Sequence, residues 1–330
     1  MKETLTSFSS RVLDIDCDQV AADMEGAIRD IVLRRLRRKG AVVGLSGGID
    51  SSVTAAICAR ALGKDRVFGV MMPENESSDD SLEFARLVAK AFGISTVVEN
   101  IGPTLEALGC YRRRDDAIRK MIPEYGEGWK SKIVISGGLE GRINHFRLVA
   151  EAPTGARREA RLELPEYLQI VAATNFKQRV RKTLEYFHAD RLNYAVVGTP
   201  NRLEYDQGFF VKNGDGAADV KPIAHLYKTQ VYALARHLGL PEAICNARPT
   251  TDTYSMPQGQ DEFYFGIPYE QMDLALWAYN HRVPAGDLAL GLRITERAAR
   301  DIYRDIESKR RSTRYLHQRP ILIEDIEGGD

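Results

Sequence analysis

The residues best placed to do chemistry lie within Ala41–Val53, which reads Ala-Val-Val-Gly-Leu-Ser-Gly-Gly-Ile-Asp-Ser-Ser-Val. Ser46, Ser51 and Ser52 supply hydroxyls, and Gly47 and Gly48 allow a tight turn with close backbone approach to a ligand. Ala41–Leu45 has the length and β-branching of a buried strand, and Val53, Ala56, Ile57 and Leu62 recur at helical spacing from Ser51 onward. A strand, a glycine turn and a helix N-terminus together present unpaired N–H groups at the positive end of a helix dipole, which is a phosphate site. Asp50 would repel phosphates unless a cation lay between them, so it reads as a Mg²⁺ ligand. No lysine follows the glycines, which excludes a Walker loop, and the dinucleotide pattern G-x-G-x-x-G is missing.

The surrounding elements must hold this loop at the edge of a sheet. Asp18–Arg37 carries Val20, Met24, Ile28, Ile31 and Leu33 at near-helical spacing, and its basic end, Arg34 to Lys39, reads as a solvated helix terminus. Arg66–Met72 is a second apolar strand, a helix opens near Ser77–Asp80 and closes at Gly93, and Thr96–Ile101 makes a third strand. Strand, helix, strand, helix, strand with short links implies an α/β, doubly wound parallel sheet, in which ligands sit at the carboxyl ends of strands. From Gly102 to about Ala173 the pattern changes. Leu105–Met121 reads as a helix, and Lys132–Ile135, Asn144–Ala152 and Arg157–Leu164 read as short strands. Ser136-Gly137-Gly138 has no helix behind it and reads as a turn. Residues 103–173 are therefore expected to be an insertion of mixed helix and β-hairpin within one domain spanning 1–330, with a helical tail over 278–330. Asn175–Tyr186 is helical again, Leu192–Val197 is a buried strand, and Lys228–Leu238 is a helix stopped by Gly239 and Pro241.

Composition narrows the function classes. The 330 residues hold 46 Lys plus Arg against 46 Asp plus Glu, so no global charge favours nucleic acid. Cys17, Cys58, Cys110 and Cys245 are scattered without a C-x-x-C pair, which disfavours a zinc or iron–sulfur site and suits reduced thiols. No secretory h-region or membrane-length apolar run is visible, so a soluble cytoplasmic protein is expected.

Later motifs complete the set: Asn175/Arg179/Arg181, Gly198/Thr199/Asn201/Glu204, Gly208–Gly216, Asp219/Pro222/Ile223, Leu226/Lys228/Gln230 and Gln258-Gly259-Gln260-Asp261-Glu262. With Ser46–Ser52 in front, this ordered series resembles the ammonia-dependent NAD synthetases, within the N-type ATP pyrophosphatases of the adenine nucleotide alpha hydrolase type. The likeness covers about Asp18–Gly102 and Asn175–Trp277. It implies a Rossmann-like sheet, ATP and Mg²⁺, and adenylation of the nicotinate carboxylate of deamido-NAD, followed by displacement of AMP by ammonia. On this likeness, Gly44, Ser46, Gly47, Gly48, Ser51, Ser52, Arg181, Thr199, Lys228 and Thr250 would hold ATP, and Asp50 and Glu204 the metal. Arg179, Lys212, Asp215 and Asp219 would meet the acyl substrate, and Asp50, Lys212, Asp215 and Lys228 would carry the reaction. Either Asp215 or Asp219 could hold ammonium. Thr250 would belong to a mobile loop at the phosphates, and His317 in His317-Gln318-Arg319-Pro320 reads as a surface histidine. A homodimer with sites at the subunit boundary is implied, without nucleic acid or membrane. With no glutaminase segment recognisable, nitrogen is expected as free ammonia or from a separate protein.

Three departures bear on the acyl substrate: the long insertion, Thr251-Asp252-Thr253-Tyr254 in place of Ala-x-Leu, and Pro200 in a loop normally free of proline. The competing readings are adenylation of a different carboxylate and a non-catalytic nucleotide-binding module. The paired carboxylates and lysines argue against the second. The insertion is expected to decorate the dimer surface rather than select the substrate, with His145, Arg147, Arg157 and Arg161 on the polar face of its hairpin.

Overall fold

The computed structural model describes residues 8–136, 145–247, 254–256, 259 and 264–324. Four strands, β1 (Ala41–Gly44), β2 (Val67–Met71), β3 (Ser95–Val98) and β7 (Ala195–Val197), form a parallel sheet in the order β3-β2-β1-β7. Ala41 pairs with Val67 on one side and with Ala195 on the other, so β1 is central. Burial on both faces explains its unbroken Ala-Val-Val run. The chain winds from β1 through β2 to β3, then crosses back to place β7 on the far side of β1. The switch point thus falls at the carboxyl end of β1, where open α/β sheets bind ligands.

Helices α1 (Cys17–Arg29), α2 (Ile49–Leu62), α3 (Asp79–Phe92) and α8 (Lys228–His237) share one apolar core with the sheet, α2 and α3 against its strands and α1 and α8 against α2. The expected boundaries of α3 hold: the Ser78 side chain accepts from Ser81 N–H at the front, and Gly93 closes the helix in the left-handed region at φ 65°. A second apolar core joins residues of α7 (Arg202–Gln207), α10 (Tyr269–Asn280), α11 (Ala285–Leu292) and α12 (Glu296–Thr313). The expected start of the helical tail at 278 falls inside α10.

The region after β3 departs from its expected boundaries. The expected helix Leu105–Met121 is two, α4 (Gly102–Ala107) and α5 (Cys110–Met121), because Gly109 at φ 69° turns the chain between them. The expected helix at Asn175 begins at Leu164 and runs to Leu192 as α6, with Pro165 in its first turn where a missing N–H costs nothing. The insertion's expected end at 173 therefore lies within α6. Between α5 and α6, β4 (Lys130–Ser136), β5 (His145–Glu151) and β6 (Arg157–Arg161) form an antiparallel sheet of their own. Ile118, Ile133, Leu148, Ile170 and Tyr254 fill its separate core. The expected hairpin forms, with Arg147 opposite Arg161 and Glu151 opposite Arg157. Its arginines are answered within the sheet, Arg147 by Glu159 at 2.6 Å and Arg157 by Glu151 at 2.7 Å. The His145 side chain and Gly137–Gly138 lie outside the described residues.

Candidate active site

The loop after β1 is shaped by sterics. Gly47 sits at φ 81°, and a Cβ there would lie 2.3 Å from the Ser81 carbonyl oxygen, so only glycine fits. A Cβ on Gly44 would lie 2.7 Å from Glu185 Oε1. Gly48 caps α2. Ser51 Oγ donates to the Gly48 carbonyl at 3.0 Å and accepts from Ser46 N–H at 3.3 Å, and Ser46 Oγ accepts from Gly48 N–H at 3.3 Å. These bonds preform a concave loop with its hydroxyls facing a cavity of about 1350 Å³. Ser52 is different. It is fully buried, donates to the Gly48 carbonyl at 2.8 Å, and does not line the cavity. One residue further along the helix, its side chain turns into the core.

Asp50 stands at the helix entrance with its oxygens divided. Oδ1 accepts from Asn201 Nδ2 at 3.2 Å, and Oδ2 is ion-paired with Lys228 Nζ. Glu204 closes a capping box on α7, accepting from Asn201 N–H at 3.1 Å while Asn201 Oδ1 accepts from Leu203 and Glu204 N–H. Lys228 is 2% exposed. Burial alone would lower its pKa, but the Asp50 and Glu204 carboxylates outweigh that and hold its ammonium above the ordinary lysine value. Asp273, distant in sequence, accepts from Lys228 N–H at 3.1 Å and from Thr229 N–H at 2.7 Å, fixing the start of α8. Burial pushes the Asp273 carboxyl up to about 7, against the lowering effect of those N–H groups.

Asp50 and Glu204 offer the hard oxygen donors that Mg²⁺ takes. Among the described residues no group of three or more His, Cys, Asp or Glu is arranged to hold a metal. Mg²⁺ binds through one or two carboxylates plus substrate phosphates rather than in an all-protein cage.

Thr199, Arg179, Arg181, Lys212 and Asp215 also line the cavity. Arg181 Nε donates to the Met72 carbonyl at 3.4 Å, and Arg179 Nε to the Lys212 carbonyl at 3.3 Å. Lys212 Nζ donates to the carbonyls of Tyr315 and Gln318 at 2.9 and 3.2 Å, so the C-terminal segment closes this side. His317, read from sequence as a surface histidine, packs edge-on against Tyr205 and Phe210, at centroid distances of 4.9 and 5.1 Å. Asp215 Oδ1 accepts from Val211 N–H at 2.7 Å, and burial raises its pKa above the ordinary carboxylate value. Asp219 does not join the cavity. Its oxygens accept from Val196 N–H at 2.8 Å and Tyr186 Oη–H at 3.2 Å, which spends it on clamping β7. Of the two carboxylates weighed for ammonium, the structure brings only Asp215 to the site. Thr250, Gln258 and Gln260–Glu262 lie outside the described residues.

Sequence reasoning missed a buried charge network beside the loop after β2. Lys177 Nζ donates to Glu74 Oε1 at 2.9 Å and Glu76 Oε2 at 2.6 Å, Arg114 pairs with Glu76, and Tyr111 Oη donates to Glu74 Oε2 at 2.7 Å. For the insertion, the sequence favours surface decoration over a lid at the substrate, and the structure brings it to the site. Trp129, Lys130 and Phe146 line the cavity, so the insertion is not confined to the outer surface.

The comparisons agree with this arrangement. The NAD synthase family profile matches residues 20–124 and 153–318. The NH(3)-dependent NAD(+) synthetase of Rhizobium meliloti (strain 1021) is 56% identical over 321 residues, covering 97% of this chain and 96% of the relative. That of Mesorhizobium japonicum is 57% identical over 300 residues, covering 91% and 94%. Among solved structures, the NH3-dependent NAD synthetase of Campylobacter jejuni superposes with a TM-score of 0.61 at 22% identity, covering 94% of this chain and 100% of that one. The NMN synthetase of Francisella tularensis gives 0.64 at 19% identity, covering 94% and 99%, and at such identities the two structures speak for the fold. With the profile matching well over half its length and relatives above half identity across nearly all of it, the chain belongs to the NAD synthase family.

Proposed function

We propose that this chain is an ammonia-dependent ligase that converts the nicotinate carboxylate of deamido-NAD to the amide, using ATP. One observation carries the reading. The phosphate loop, the Asp50–Lys228–Glu204 cluster and the Lys212/Asp215 pair all face one cavity. A carboxylate does not react with ammonia at neutral pH. A carboxylate oxygen must first attack the ATP α-phosphorus, breaking the α–β bridge and releasing pyrophosphate. Ser46, Gly48 and Ser51 receive the departing pyrophosphate, and the Lys228 ammonium faces the charge that develops on it. Asp50 and Glu204 would hold Mg²⁺, which neutralises phosphate charge when bound. Ammonia nitrogen then attacks the acyl carbon, AMP leaves, and one proton must be shed. Asp215, with its pKa raised by burial, is the cavity carboxylate suited to hold ammonium and accept that proton.

The same reading proposes a single domain over 1–330 and a homodimer. Leu164 and Leu168, one turn apart on α6, are 66% and 54% exposed, an apolar patch suited to a second copy of the helix. The chain is proposed to work in the cytoplasm, and among the described residues no helix is long and apolar enough to cross a membrane. The test is ATP–pyrophosphate exchange with Mg²⁺, with and without deamido-NAD. Exchange dependent on deamido-NAD is expected. Folded protein that binds ATP but exchanges no better than background with deamido-NAD would overturn the acyl substrate.

A further inference from the structure

Helix α6 buries an ion pair in the cavity wall that the adenylation step does not use. Lys182 and Glu185 stand three residues apart on one face of the helix, and Lys182 Nζ donates to Glu185 Oε2 at 2.5 Å. Both side chains are buried, and both line the cavity. Taking two charges out of water often costs more than their attraction returns, so stability alone explains such a pair poorly. Its place is more informative. Two turns before Glu185, Gln178 meets the loop that carries Asp215, where a Cβ on Gly214 would lie 2.9 Å from Gln178 Cβ. Glu185 itself meets the end of β1, where a Cβ on Gly44 would lie 2.7 Å from its Oε1. Gln178 and Glu185 are seven residues apart, about 10 Å at ~1.5 Å per residue, with Lys182 between them. The pair therefore spans the gap between the Asp215 loop and the strand end that feeds the phosphate loop. Lys182 takes Oε2, and Oε1 accepts no hydrogen bond from the described residues.

The amide step needs more than one proton acceptor. Ammonia at neutral pH is mostly ammonium, and an amide nitrogen keeps only two hydrogens, so two protons must leave. The first goes from ammonium to the Asp215 carboxylate and frees the lone pair. That lone pair forms the C–N bond at the acyl carbon, the bond from this carbon to the phosphate oxygen breaks, and its electron pair leaves with AMP. The nitrogen then carries one proton too many. We propose that Glu185 is the second proton acceptor, taking that proton on Oε1, and that Lys182 is the positioning residue that holds Glu185 in place and charged. The role rests on the function proposed above and adds a residue to its second step. Lys182 and Arg181 from the same helix and Asp215 from the loop after α7 are the charges that face Glu185. Burial raises the Glu185 carboxyl above the ordinary carboxylate value, the two cations oppose that, and Asp215 adds to it. Burial raises Asp215 likewise, against the same two cations. A carboxylate raised in this way is a better base at neutral pH than a solvated one. Protonation of Asp215 removes a like charge from beside Glu185, which keeps Glu185 ionised until the second proton arrives.

The experiment measures the two half-reactions apart in the full-length protein. ATP–pyrophosphate exchange with deamido-NAD reports adenylation, and NAD formation at saturating ammonium chloride reports the amide step. Glu185→Gln should keep exchange within about threefold, because no nitrogen takes part in it, and slow NAD formation by about 10²-fold, the lower end for loss of a general base. The substitution also strands the Lys182 ammonium, so it is combined with Lys182→Met. The double variant should regain most of the lost melting temperature and form NAD as slowly as Glu185→Gln alone. Lys182→Met by itself keeps the acceptor and removes the cation that holds it ionised. Its pH profile for NAD formation should therefore move to higher pH than that of the wild type, which a loss of packing would not cause. An unmoved profile would remove Lys182 from the role. NAD formation that is unchanged in Glu185→Gln, or that returns with stability in the double variant, would overturn the acceptor. Exchange that falls as far as NAD formation would also overturn it, placing Glu185 in adenylation instead. Wild-type protein with no exchange on deamido-NAD would sink the function on which the role rests.

Discussion

Replacing Asp50 by Asn separates the fold from the chemistry, and the structure supplies the magnitude. Asp50 is ion-paired with Lys228, whose side chain is 2% exposed against 17% for Asp50. Removing one partner of a buried pair usually costs about 3–5 kcal/mol, because the remaining charge is stranded. Here the Glu204 carboxylate still faces Lys228, and the Asn oxygen can still accept a hydrogen bond, so the loss should be nearer ~2 kcal/mol. At roughly 2–4 °C per kcal/mol for large domains, the melting temperature should fall by no more than about 4–8 °C. Activity should fall much further. Losing a carboxylate that pairs with Lys228 and is proposed to hold Mg²⁺ should cut ATP–pyrophosphate exchange by at least ~10²–10³. The decisive comparison is the double variant Asp50→Asn/Lys228→Met. It removes both charges, so its stability should recover to within about 1 kcal/mol of wild type while exchange stays abolished. Denaturant melts and exchange assays over a Mg²⁺ titration measure the two quantities independently. An active Asp50→Asn enzyme, or a double variant less stable than the single one, would refute the reasoning.

Three further outcomes follow from particular contacts. Gly47→Ala should abolish ATP binding measured by calorimetry, because its Cβ would sit 2.3 Å from the Ser81 carbonyl at a positive φ. Asp273 binds its proton more tightly folded than unfolded, its carboxyl rising from 3.8 to about 7, so its contribution to stability is full below the unfolded value and lost as pH climbs through the folded one. Asp273→Asn should therefore flatten the pH dependence of the melting temperature across that window, and a wild-type curve that rises there with the same slope in the variant would contradict the assignment. If the proposed homodimer forms through α6, Leu164→Glu and Leu168→Glu should shift sedimentation velocity from dimer to monomer, and a dimer unaltered by both would show that this patch is not its interface.

What the sequence determined by itself is local and contiguous. The strand, glycine turn and helix of Ala41–Leu62 could be read directly, because sterics at Gly47 and the unpaired N–H groups of a helix start are set by neighbouring residues. The same holds for the Ser78 and Gly93 caps of α3 and for the paired runs that became β5 and β6. The order of the motifs was enough to assign the family, since each is a short string of residues close together in sequence.

Tertiary structure decided which of these residues face the cavity and what holds them there. Ser51 and Ser52 are neighbours with the same side chain, yet helix rotation sends one to the cavity and the other into the core. Asp215 and Asp219 look interchangeable in sequence, but the pairing of β7 with the following loop consumes Asp219. Asp273 reaches the start of α8 across a separation of 45 residues, and Lys177 meets Glu74 across 103. No periodicity records such partners, because each needs only a compatible charge and the fold chooses which one arrives. The insertion shows the same limit on a larger scale. Its strands were legible from alternation, but their wall of the cavity exists only because α6 starts at Leu164 and carries the inserted sheet back over the site.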